Sequence, residues 1–198
     1  MSKIAIEGNA SGTGTFTIAS PNSNSSRTLS LPDGTGTFVV NGINSSIVSG
    51  TSVASTSGSS ISFTSIPSWV KRITVMFNGV SVNGSAIVYI RLGTSSGSTN
   101  SGYLGASFYL NGGSSTQAST YWPVDGTSLG AASTRHGNCV ITNVTGNTWS
   151  MNGSVSNSND TGVSITSGSI PLAATLDRVL IEVSAGAFDA GTINILYE

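Results

Sequence analysis

The sequence predicts an all-β protein: a small N-terminal β-repeat module followed by an antiparallel β-sandwich or jelly roll. Three observations carry this. Apolar residues recur with period two over short stretches, and Gly or Pro interrupts nearly every window long enough for a helix. A Gly-Thr lead-in followed by a β-branched and aromatic run occurs twice near the N-terminus.

The two copies of that run are Gly12-Thr13-Gly14-Thr15-Phe16-Thr17-Ile18 and Gly34-Thr35-Gly36-Thr37-Phe38-Val39-Val40. Each reads as a turn feeding a strand. Between them, Ser20 to Ser26 has loop composition, Leu29 and Leu31 alternate with polar neighbours, and Pro32-Asp33-Gly34 closes that strand as a turn. Residues 1–42 form this module. A unit so small cannot bury its own apolar face. Phe16, Ile18, Leu29, Leu31, Phe38 and Val40 therefore predict contacts with other copies, and a homotrimer wound about a threefold axis supplies them.

Residues 43–60 are rich in Ser, Gly and Thr and read as a linker or a weak edge strand. Residues 61–198 carry the sandwich. The best strand runs from Lys71 to Gly79, with Ile73, Val75 and Phe77 on one face and Asn78-Gly79 as its closing turn. Val88, Ile90 and Leu92 alternate in the next. Further strands are predicted at Ala106–Leu110, Cys139–Val144, Thr148–Val155, Gly162–Ile165, Asp177–Ser184 and Gly191–Tyr197. Short strands between Gly, Asn and Ser turns point to a two-sheet fold. A second echo fits it. Ser65-Ile66-Pro67 precedes the run from Arg72, and Ser169-Ile170-Pro171 precedes the run from Arg178.

Composition narrows function. Of 198 residues, 8% are charged, against about 25% in an average chain. The 37% hydrophobic content argues against disorder. Surface polarity must come from hydroxyls and amides. The net charge of −1 leaves no basic footprint for nucleic acid or anionic lipid. No apolar run approaches the roughly 20 residues of a membrane helix, and the first residues carry no signal-peptide core, so neither membrane insertion nor glycosylation is expected.

Chemistry is weakly signalled. His136 is the sole histidine, Asp125 is the nearest upstream acid, and no Gly-x-Ser-x-Gly elbow is present. His136 reads as a loop or interface residue. The eight acids are scattered, so no glycosidase pair is indicated, and the Asn157–Asp160 stretch reads as a polar turn and not a calcium loop. Cys139 is the only cysteine, which rules out an intramolecular disulfide. No enzyme, metal or cofactor is expected. Trp69, beside Pro67, is expected to seal one end of the sandwich in the core. Tyr121 and Trp122 are the candidate contacts for a carbohydrate or partner, since sugars take flat apolar faces flanked by neutral hydrogen-bonding groups.

One segment also carries a resemblance. Ile6-Glu7-Gly8-Asn9-Ala10-Ser11-Gly12-Thr13-Gly14-Thr15-Phe16-Thr17-Ile18, with Ser20-Pro21-Asn22 and Arg27-Thr28-Leu29-Ser30-Leu31-Pro32-Asp33-Gly34-Thr35-Gly36, resembles the N-terminal module of tail-fibre-like and other virion surface proteins of tailed bacteriophages. Ile66 to Val75 and Phe188 to Glu198 are more loosely similar to C-terminal β-domains of such proteins. That resemblance implies a structural, adhesive virion protein without catalytic residues, assembled in the host cytoplasm. Its partners would be itself, other tail or capsid proteins, and a host surface glycan. The first expectation is a tail-fibre-type appendage or adhesin component. The alternative is a capsid decoration protein, of cement or head-fibre type.

Overall fold

A computed structural model describes residues 11–15, 17, 22–26, 28 and 47–198. The six module positions expected to meet other copies, Phe16, Ile18, Leu29, Leu31, Phe38 and Val40, lie outside the described residues. The chain divides into two compact units, Met1–Phe38 and Val39–Glu198.

The second unit is an antiparallel β-sandwich. In chain order its described strands are β1 (Val48–Ser49), β2 (Val53–Ala54), β3 (Ser60–Phe63), β4 (Arg72–Val82), β5 (Val88–Thr94), β6 (Gly97–Ser98), β7 (Leu104–Tyr109), β8 (Ser114–Ala118), β9 (Trp122–Pro123), β10 (Arg135–Thr145), β11 (Thr148–Asn157), β12 (Gly162–Pro171), β13 (Arg178–Val183) and β14 (Phe188–Tyr197). The larger sheet has the order β1-β14-β4-β10-β11-β12-β7-β8, with β2 also on β14. The smaller has the order β3-β13-β5-β6, with β9 also on β5.

Alternation in the sequence decides which faces meet. Ile73, Val75 and Phe77 of β4, Cys139 and Ile141 of β10, and Ile193 and Ile195 of β14 point inward from the larger sheet. Opposite them lie Ile61 and Phe63 of β3, Val88, Ile90 and Leu92 of β5, and Val179, Ile181 and Val183 of β13. Burying one such side chain stabilises the fold by about 1.5–3 kcal/mol, so this two-sided core dominates the energetics.

Of the stretch 43–60, expected as linker or edge strand, the described residues from 48 to 54 form an edge. Val48 and Ser49 pair with Tyr197 and Leu196, and Val53 and Ala54 pair with Ile193 and Thr192. Ser55, fully buried, donates its hydroxyl to the Ala190 carbonyl at 2.7 Å. The two Ile-Pro echoes mark the same event in opposite directions. After Ile66 the chain crosses from the smaller sheet to the larger, and after Ile170 it crosses back. Both isoleucines are buried at the crossing.

Asn78-Gly79 is not the end of a strand. β4 continues through Val82, and the register against β14 shifts twice at this level. Gly79 adopts φ 65° and faces Gly191 at φ 95°. The left-handed glycine is used for a bulge, which inserts a residue without breaking the ladder. A Cβ on Gly191 would lie 2.4 Å from the Gly79 carbonyl oxygen, so the two glycines permit this approach.

Candidate functional site

The segment from Tyr121 to Gly126 runs beneath the larger sheet. β9 pairs with β5 so that Trp122 sits opposite Ile90 and Pro123 opposite Tyr89. Trp122 therefore turns inward with Ile90 and is 0% exposed. Its indole meets the Tyr103 ring edge-on at 5.4 Å and 88°. Gly105 and Gly168, cross-strand partners, make the room: a Cβ on either would lie 2.6–2.7 Å from the indole. Three buried hydroxyl side chains hold the segment down. Ser107 donates to the Val124 carbonyl at 3.0 Å, Thr166 to the Pro123 carbonyl at 2.6 Å, and Ser164 accepts from the Gly126 N–H at 3.1 Å. Trp122 is thus a core plug, and the expectation that it contacts a sugar or partner is corrected by its burial.

Tyr121 points the other way. Its ring stacks on Tyr89 at 4.2 Å, and the Arg91 guanidinium lies over both rings, 4.9 Å from one centroid and 5.9 Å from the other. Arg91 is itself fixed by Glu182 at 3.0 Å and by the Thr120 carbonyl at 2.9 Å. Burial, then the Glu182 charge, raises the Tyr89 hydroxyl above its ordinary pKa. The cluster satisfies its own stacking and charge.

The structure places an open aromatic surface elsewhere. The loop between β3 and β4 turns at Pro67, whose carbonyl accepts from the Val70 N–H at 3.1 Å. Ile66 and Val70 drop into the core and close this end of the sandwich. Trp69, between them, is lifted out and is 52% exposed. The expectation that Trp69 seals the sandwich is therefore wrong, because its smaller neighbours do so. Its ring leans on Tyr197 with centroids 6.0 Å apart and a 48° tilt.

Trp69 lines a groove of about 550 Å³ with Lys71, Arg72, Thr142, Asn143 and Glu198. An Arg72–Glu198 ion pair forms one wall, and the two residues are also joined backbone to backbone at 2.8 and 2.9 Å. A second hollow of about 190 Å³, lined by Ile47, Leu196 and Tyr197, lies across that wall. The Asn143 amide is oriented by its own donors, which reach the Gly146 carbonyl at 2.9 Å and the Thr148 carbonyl at 3.2 Å. Its Oδ1 is left to accept from Lys71 Nζ at 3.4 Å. Among the described residues, Arg72, Arg91, Arg135 and Arg178 each pair with a carboxylate. Among the described residues the Lys71 ammonium has that amide oxygen and no carboxylate partner.

Asp125 and Arg135 are both fully buried, with guanidinium nitrogens 2.9 Å from the carboxylate. Asp125 also accepts from the Val88 N–H at 2.7 Å. Burial pushes its carboxyl above the usual range while Arg135 opposes that shift. Both carboxylate oxygens are thereby occupied. His136, half-buried, accepts instead from the Gly79 N–H through Nδ1 at 3.3 Å and meets Ser158 Oγ at 3.4 Å. Among the described residues no three His, Cys, Asp or Glu side chains gather into a metal-ligand group.

An apolar strip occupies the outer face of β7 and β12. Leu104, Phe108, Leu110 and Ile165 are exposed there, and Phe108 is the direct cross-strand partner of Ile165. Its sequence signal is that β7 carries Leu104 and Phe108 at outward positions while Gly105 and Ser107 face inward. No protein-family model, curated protein or solved structure matches the chain.

Proposed function

We propose that this chain is a non-enzymatic structural protein of a bacteriophage virion, a tail-fibre-type appendage or adhesin component. The observation that carries the reading is the exposed Trp69 groove at one end of a tightly closed sandwich. A rigid β-scaffold presenting an aromatic platform beside hydrogen-bonding side chains suits recognition without chemistry. The sequence resemblance of the first 40 or so residues to virion surface proteins supports the same reading. In it, the N-terminal module joins three copies, and light scattering on the purified chain is expected to give a trimer; a stable monomer at micromolar concentration refutes that.

A second reading, capsid decoration, is favoured by one feature. The strip of Leu104, Phe108, Leu110 and Ile165 lies on a sheet face, the shape needed to rest on a protein shell. Immunogold labelling of intact particles decides between them. Label on the tail supports the appendage, label on the head supports decoration, and bare particles refute both.

A further inference from the structure

We infer that the Trp69 groove binds an acidic saccharide, with a pyranose ring on the indole face and the sugar carboxylate on Lys71. The inference rests on the adhesin reading and names the ligand class. Of the three tryptophans, Trp122 and Trp149 are buried and Trp69 alone offers its ring to solvent. That ring is pre-positioned. The loop beneath it is tied by the Val70–Pro67 bond, by Ile66 N–H on the Asp177 carbonyl at 2.9 Å, and by Lys71 N–H on the Glu198 carbonyl at 2.7 Å. A platform already held in place loses little freedom when a ligand arrives.

The polar groups around it select the ligand. The Thr142 hydroxyl and the Asn143 amide oxygen supply neutral hydrogen-bonding partners beside an apolar floor. A pyranose has the matching faces: C–H groups on one side and hydroxyls at the rim. The Arg72 and Glu198 side chains on the wall pair with each other. Lys71 keeps its charge without a carboxylate among the described residues. An ammonium in that position favours a carboxylate, through a charge-assisted hydrogen bond, over a hydroxyl.

The test uses the full chain and two probes of equal length: a tetrasaccharide alternating glucuronic acid with N-acetylglucosamine, and cellotetraose. Binding is read by calorimetry and by protection of tryptophan fluorescence from acrylamide, which reports Trp69 because the other two indoles are buried. The acidic probe is expected to bind saturably, about tenfold more tightly than the neutral one, a difference of about 1.4 kcal/mol. Lys71→Gln is expected to erase that difference and keep the weak neutral binding. Trp69→Ala is expected to abolish protection and weaken both probes at least about tenfold, with unchanged melting since the residue is exposed.

Equal affinity for the two probes overturns the inference. So does displacement by inorganic phosphate as effective as the sugar, which would mark a simple anion site. Protection of Trp69 on raising protein concentration without sugar also overturns it, since a second copy would then cover the groove. A chain that labels tails yet binds neither probe defeats this inference and leaves the appendage reading standing. A chain that binds the acidic probe but is missing from particles does the reverse.

Discussion

Replacing Arg135 by Met keeps most of the buried stem and removes only the charge. Asp125 is then left in the core with the Val88 N–H as its remaining partner. A carboxylate there escapes by taking up a proton, and the cost of doing so sets the penalty. Each pH unit above the ordinary aspartate value of about 3.9 costs about 1.4 kcal/mol, so a carboxyl that must stay protonated costs about 4 kcal/mol at about pH 7, and the variant's loss is that figure less what burial already costs the parent's Asp125. The direction follows from linkage. A carboxyl whose folded pKa lies above its unfolded value weakens the fold as pH rises past the unfolded value, and that loss disappears as pH falls back. The deficit relative to the parent is therefore expected to be smaller at about pH 5 than at about pH 7, by at most about 2.7 kcal/mol because burial raises the parent's Asp125 as well. Asp125→Asn is the complementary change. A guanidinium cannot shed its proton, so this variant should lose about 3–5 kcal/mol at either pH. Urea denaturation at the two pH values measures both. A pH-independent deficit in Arg135→Met, or one below about 1 kcal/mol, would refute the reasoning.

Three further outcomes are expected. Trp122→Ala should cost about 3–5 kcal/mol and Trp69→Ala less than about 1 kcal/mol, a contrast read directly from thermal melts. Gly168→Ala should cost about 1–3 kcal/mol, since its Cβ would lie 2.5 Å from the Leu104 carbonyl oxygen and 2.7 Å from the indole; denaturant midpoints check it. Cys139 should react with Ellman's reagent only as fast as the chain unfolds, because it is fully buried and burial pushes its thiol up to about 12. Rapid labelling of the folded protein would contradict that burial.

The strands whose apolar residues alternate with clear contrast were legible in the sequence. Ile73, Val75 and Phe77, or Val179, Ile181 and Val183, leave one assignment of face. The second half of β12, from Thr166 on, was not legible, because Thr166 and Gly168 at its inward positions look like loop residues. Thr166 buries its hydroxyl against the Pro123 carbonyl and Ser164 accepts from the Gly126 N–H, partnerships that depend on a segment some 40 positions away. The same distance hid the fate of Trp122, whose cavity is made by Gly105 and Gly168 together. Trp69 was misread for a local reason. Proximity to Pro67 says that the chain bends there, and not which of Ile66, Trp69 and Val70 the bend sends inward. Asn78-Gly79 was misread because a left-handed glycine serves a bulge as well as a hairpin.

The margin of the larger sheet bears on how such molecules behave in a crowd. Along β14 the outermost pairing comes in two short fragments, β1 and β2, interrupted at Thr51 and Ser52. An unbroken flat margin would offer a stranger's backbone a long row of free donors and acceptors. Most proteins discourage such zippering with lysines, which a chain with 8% charged residues has largely forgone. Here discontinuity does that work along β14. Many copies standing shoulder to shoulder would then stay individual along that margin, kept from fusing into a fibril by a ragged selvedge and not by mutual repulsion.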